Sequence, residues 1–191
     1  MTSTDMINGV DVARLNDTIT AIKHDPEIAL FRFRATNRWD NGGHNTTTIH
    51  DFYGAKQTIS HAHDFHIDAD EPSLLLGSDM GANPVEIVLT ALAGCLTTTL
   101  VYHAAARGIT IRGVESELEG ELDLRGFLGL SDEVRNGYKS LCVNMRVDAD
   151  ASRDTLEELV TIAKGLSPVA DIISNPVEVL VKLDEHSKTT H

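Results

Sequence analysis

The stretch GANPVEIVLTALAGCLTTTLVYHAAARGI, residues 81–109, decides the architecture. Asn83 can cap a helix, Pro84 suits the first helical position, and Glu86 stands where a capping box needs its acid. Gly108 can stop the helix. The pattern between them predicts one helix running from Pro84 to just before Gly108. That helix is apolar almost all round, so it is expected to be buried, as the central strut of a small core. Cys95 sits in its middle and has two readings. Free cysteine is commonly a small buried hydrophobe. Against that, Ala91, Ala93 and Gly94 leave room beside the sulfur, and Thr98 and Thr99 place hydroxyls one turn on. Small walls with a few polar groups describe a pocket better than a packed core.

A reactive thiol must ionise, which takes a cation, a donor set or a helix N-terminus. Cys95 lies too deep in the helix for the end dipole to reach it. Its activator must therefore come from elsewhere, and arginine stays charged when partly buried. Arg32, Arg34 and Arg38 are the candidates, with Arg38, beside Trp39 at a strand end, the best placed. Glu86 is a candidate site residue as well, although capping explains it fully.

Outward from the helix, the chain divides into an N-terminal arm, residues 1–26, and a domain, residues 27–191. In the arm, Val12, Leu15, Ile19 and Ile22 have helical spacing over 9–24, and Asp25-Pro26 ends the run. Beyond it the period changes to two. LFRFRA (30–35), TTTIHDF (46–52) and QTISHAH (57–63) read as a strand meander, with a turn at 41–43 and a join at Gly54. After the helix, VESELEGELDL (114–124) puts Val114, Leu118, Leu122 and Leu124 on one face and a row of acids on the other, a solvated face. LCVNMRV (141–147) is a further strand. A helix capped by Ser152, a short turn of helix at Ser167-Pro168, and a closing strand VEVLVKL (177–183) follow. The order of elements is α+β.

Composition narrows the function. The chain has 191 residues, 41% hydrophobic, with a formal net charge of -13. That charge disfavours nucleic acid and anionic lipid as partners. We find no apolar run of membrane length and no signal-peptide pattern at the N-terminus. Two distant cysteines form no disulfide framework, so free thiols in a reducing cytoplasm are expected. His61, His63 and His66 in HAHDFH lack further metal ligands, and DADEP (68–72) lacks the spacing of a calcium loop. Phosphate-loop, nucleophile-elbow and dinucleotide patterns are missing, so neither metal nor cofactor is expected.

NPVEIVLTALAGC resembles the central-helix motif of the OsmC/Ohr family, the osmotically induced and organic-hydroperoxide-resistance proteins. HIDADEPSLLLGSDMGANPVE, AAARGI, EGELDLRGFLGL and GLSPVADIISNPVEV extend the resemblance over roughly residues 28–183. The resemblance implies the OsmC-like fold, an intertwined homodimer in which curved sheets wrap two central helices, with sites at the interface. It also implies a peroxiredoxin-like, thiol-dependent reduction of organic hydroperoxides as an antioxidant, oxidative-stress function, with Cys95 matching the attacking cysteine. Oxidation would give a sulfenic acid, and an apolar pocket would favour alkyl hydroperoxides. Three positions depart from the pattern. Val85 stands where family members often carry glutamate. Ser167 stands before Pro168 where the second cysteine is usual, and Cys142 does not match it. Near the Gly-Gly turn there is His44, and Arg38 or His44 would have to replace the family's arginine. These departures imply a one-cysteine cycle that uses an external thiol or dithiol reductant. The rival reading is a non-catalytic dimer binding a small apolar or sulfur-containing ligand. A hydrolase with Cys95 as acyl nucleophile is a distant third, since no ordered base is apparent.

Overall fold

The computed structural model of the chain describes residues 6–184. Strands β1 (Met6–Ile7) and β2 (Val10–Asp11) form a tight hairpin whose turn residues, Asn8 and Gly9, are both left-handed. That turn delays the arm's helix, α1, to Val12–His24, where Asp11 caps it by accepting the Arg14 N–H at 3.0 Å. The Asn8 amide fastens the arm to the domain. It donates to the Ile109 carbonyl at 2.9 Å and accepts the Ile111 N–H at 2.8 Å.

The meander folds as β3 (Arg32–Phe33), β4 (Thr36–Asn41), β5 (His44–Gly54) and β6 (Gln57–Ala69). All pairings are antiparallel, with β5 joined to β3 and β4 on one side and β6 on the other. The β5–β6 turn is at Ala55 and Lys56, both left-handed, one step beyond the expected join at Gly54. A two-residue hairpin demands that geometry and here obtains it without glycine.

Helix α2 spans Pro84–Ala106, then β7 (Ile111–Glu121) pairs antiparallel with β8 (Ser140–Ala149). The strand expected to run on to Leu124 stops at Glu121. Asp123 caps a short helix, α3 (Leu124–Phe127), by accepting the Arg125 N–H, and a cap cannot also continue a ladder. Helices α4 (Arg153–Leu166) and α5 (Pro168–Ser174) start at Ser152 and Ser167, each accepting the N–H three residues on. Residues 177–183, expected as a strand, form none, and no backbone hydrogen bond ties them to another strand among the described residues. Alternation alone makes no strand, because extended backbone needs an edge to pair with.

The core lies between α2, α4 and the β7–β8 sheet. Leu92, Leu96, Leu100 and Ala104 form one stripe of α2 and pack with Leu159 and Ala163 of α4. Val114 and Leu118 of β7, and Leu141, Val143 and Met145 of β8, close over them. The helix is not buried all round, as its composition suggested. Val88, Ala91, Gly94, Thr98 and Tyr102 are exposed. Its mean hydropathy of 1.7 and its length also meet those of a membrane span, against the sequence-based expectation. Its packing on α4, α5 and β7 makes it the core helix of this fold. Leu100 is fully buried at the centre of that packing. Leu100→Ala is expected to lower stability by about 2–5 kcal/mol, measured by urea unfolding.

Candidate functional site

The site is built around the first half of α2. Its start is held by a complete capping box: the Asn83 N–H donates to Glu86 Oε2 at 2.9 Å, and Asn83 Oδ1 accepts the Val85 N–H at 3.0 Å. Glu86 is thereby occupied by the cap, and lies about 13 Å of helix rise from Cys95. The Asn83 amide also donates to Glu71, which ties the preceding loop to the helix.

That loop is organised by Asp70, a residue whose role the sequence reading did not find. Its carboxylate is buried and accepts the N–H groups of Glu71 (2.8 Å), Ser78 (3.1 Å) and Met80 (3.2 Å). Both oxygens serve the loop itself, so DADEP is an internal staple. Burial pushes the Asp70 carboxyl up, and the three N–H donors, helped by His44, hold it below its ordinary value. Tyr138 is the second residue that sequence reasoning missed. Its hydroxyl donates to the Val85 carbonyl at 2.9 Å and straps the loop after β7 to the first turn of α2. The ring packs against Gly120, where an added Cβ would come within 2.7 Å of it. Burial, with the charge of Glu86 nearby, pushes this phenol above its ordinary value. Nothing local marks Tyr138, because a glycine on β7 and a carbonyl on α2 meet it only in three dimensions.

Cys95 is half-buried at the border of the α2 core stripe. It follows Leu92 by three residues and precedes Leu96 by one, so it flanks the packed side. Ala91, Thr98 and Tyr102 lie beside it along the open side. Its carbonyl accepts the Thr99 hydroxyl at 2.8 Å, which turns that hydroxyl onto the backbone. Cys142 alternates with Leu141 and Val143, which face the core. It is exposed on the opposite face, level with Glu119 of β7. The two thiols therefore do not converge within one chain.

Arg38 and His44 belong to the meander sheet. Arg38 is exposed on β4, in register with Thr46, and makes no ion pair among the described residues. His44 stands between two carboxylates, with Nδ1 3.3 Å from Asp40 and Nε2 3.3 Å from Asp68. The main packing partners of α2 are α4, α5 and β7, and this sheet is not among them. Within one chain, Cys95 and its candidate activators thus occupy separate elements. Two histidines of HAHDFH join an aromatic row, whereas His66 Nδ1 lies 3.1 Å from the Thr48 hydroxyl. His61 lies 5.4 Å from Phe52 and 5.0 Å from Phe65, and His63 lies 4.9 Å from Phe65. No group of three or more His, Cys, Asp or Glu side chains suited to a metal occurs among the described residues.

A family profile described as OsmC-like protein matches residues 77–182, which span α2 to the C-terminal segment. The chain belongs to the OsmC-like family. Solved structures share the fold. An OsmC-like protein from Mycoplasma pneumoniae has a TM-score of 0.57 at 16% identity, covering 76% of this chain and 89% of that one. An OsmC-like protein of unknown function from Vibrio cholerae has a TM-score of 0.55 at 14% identity, covering 77% and 95%. An organic hydroperoxide resistance protein OsmC from Legionella pneumophila has a TM-score of 0.52 at 17% identity, covering 74% and 89%. At these identities the likeness is one of fold. No curated protein matches the chain.

The Asp70 staple carries a pH signature. Its native carboxyl is held below the ordinary value of 3.8. The stability it contributes is therefore full above that value and disappears as pH falls through the native one. Asp70→Asn is expected to melt below the wild type at pH 7. The gap in melting temperature should close as pH falls below 3.8, read by circular dichroism.

Proposed function

We propose that the protein is a thiol peroxidase that reduces organic hydroperoxides through Cys95. The observation that carries the reading is the placement of Cys95. It lies half-buried at the midpoint of the family's central helix, among Ala91, Leu92 and Leu96, with the only other thiol on the far face of β8. The Cys95 thiolate attacks one peroxide oxygen. The S–O bond forms as the O–O bond breaks, and the departing alkoxide takes a proton and leaves as the alcohol. The sulfenic acid then condenses with an external thiol, releasing water. The second thiol of a dithiol donor resolves that mixed disulfide, which restores Cys95 and oxidises the donor. Cys142 takes no part in this one-cysteine cycle. A reducing cytoplasm would supply the donor.

The site is completed by a second copy of the chain. Along α2, Val88, Ala91, Gly94 and Tyr102 are open although the helix is strongly apolar. The meander sheet has its own uncovered apolar face, where Phe31, Phe33 and Phe52 stack with centroids 5.7–6.1 Å apart. Phe31 and Phe33 are 52% and 76% exposed. Two such surfaces that do not meet within the chain are complementary between two chains. In that homodimer the partner's sheet supplies the cation for Cys95, from the position of Arg38 or His44.

The specific observation behind the rival reading, a non-catalytic dimer binding a small apolar or sulfur-containing ligand, is the engagement of Glu86 and His44 with other partners. Turnover separates the two. With cumene hydroperoxide and dithiothreitol, the wild type and Cys142→Ser are expected to consume peroxide at rates within about twofold of one another. Cys95→Ser should fall to the uncatalysed rate. Equal consumption by Cys95→Ser and the wild type would remove Cys95 from the chemistry, and no consumption by any of them favours the binding reading. Light scattering is expected to give the wild type twice the chain mass of 20.8 kDa. Ala91→Glu, which puts a charge on the open face of α2, should give the single-chain mass.

A further inference from the structure

Splitting a peroxide O–O bond puts negative charge on the departing oxygen, and a hydrogen-bond donor aimed at that oxygen lowers the barrier. In-line attack sets the sulfur, the attacked oxygen and the leaving oxygen in a row. The leaving oxygen therefore stands beyond the attacked one, away from the sulfur. A donor that meets it must sit beside Cys95 without being engaged elsewhere.

The hydroxyls of α2 belong to Thr90, Thr97, Thr98, Thr99 and Tyr102. Thr90 donates to the Glu86 carbonyl at 3.1 Å and Thr99 to the Cys95 carbonyl at 2.8 Å. Thr97, two residues after Cys95, falls on another side of the helix. Tyr102, seven residues on, is displaced by about 10 Å of helix rise. Thr98 is left. It follows Cys95 by three residues, which puts the two Cβ atoms roughly 5–6 Å apart. Helical side chains lean toward the N-terminus, so Thr98 leans over the turn that carries the thiol. It is exposed on the open side of α2, and its hydroxyl has no hydrogen-bond partner among the described residues. Space for a substrate adjoins it: a Cβ added at Gly94, one turn earlier, would meet nothing within 4 Å.

We propose that Thr98 is a catalytic residue of this site, its hydroxyl donating a hydrogen bond to the leaving oxygen of the hydroperoxide. The thiolate forms the S–O bond, and the electron pair of the O–O bond passes to the leaving oxygen. Thr98 keeps its own proton. The alkoxide then takes a proton from water and departs as the alcohol. This inference rests on the peroxidase reading and adds to it the group that serves the oxygen, whereas the cation serves the sulfur.

The leaving group provides the test. Cumene hydroperoxide departs as a strongly basic alkoxide, which needs a donor. Peracetic acid departs as acetate, which does not. Both are reacted with the reduced protein in a Cys142→Ser background, where Cys95 is the only thiol, and the thiol remaining is counted against time. Thr98→Val is expected to slow oxidation by cumene hydroperoxide about tenfold. Its rate with peracetic acid should stay within about twofold of the parent, and Thr98→Ser should restore the cumene hydroperoxide rate. The pH profile of Cys95 alkylation by iodoacetamide should be the same in Thr98→Val and the parent, because Thr98 acts on oxygen and not on sulfur. Equal rates of Thr98→Val and the parent with cumene hydroperoxide overturn the inference and leave the peroxidase reading standing. So does equal slowing with both peroxides, which marks a structural effect, or a displaced alkylation profile. A parent inert to both peroxides overturns the peroxidase reading, and the role of Thr98 with it.

Discussion

The packing of the α2 stripe Leu92, Leu96, Leu100 and Ala104 onto Leu159 and Ala163 of α4 is the constraint on which the rest depends. It sets the rotation of α2 about its own axis. Once that stripe is turned inward, Cys95 can only stand at its border, and Ala91, Gly94, Thr98 and Tyr102 can only face out. The same contact holds α4 on α2, with α5 packed on both, and leaves a groove lined by α2, β8, α4 and α5. Position of the thiol, openness of the helix and shape of the groove are three consequences of one helix pair.

The front of α2 is built differently, from polar bonds. Asn83, Glu86, Glu71, Asp70 and Tyr138 hold the first turn and its two flanking loops through directed hydrogen bonds. None of these groups needs to react for the arrangement to matter. They keep the loops at the helix start in one geometry, where a buried carboxylate left without its donors would be costly. Glu86 illustrates the division of labour: a carboxylate on the motif helix looks catalytic in a sequence, and its bond to the Asn83 N–H shows it closing a capping box.

The chain also carries more exposed apolar surface than a finished monomer of this size normally shows. The open side of α2, Phe31 and Phe33 beside the meander sheet, and the segment 177–183 all leave apolar side chains in the open.

Local signals were sufficient for α2, whose limits follow from Asn83, Pro84 and Gly108. They were sufficient as well for the caps at Ser152 and Ser167 and for the alternation of β7 and β8, because capping and face periodicity act within a few residues. The family was legible through its motif. What the sequence left open was set at long range. The rotation of α2, the partners of Asp70 and Tyr138, the separation of Arg38 and His44 from the thiol, and the unpaired state of 177–183 all depend on which surfaces meet. A strand needs an edge and a side chain needs a partner, and neither is chosen until distant parts of the chain have packed.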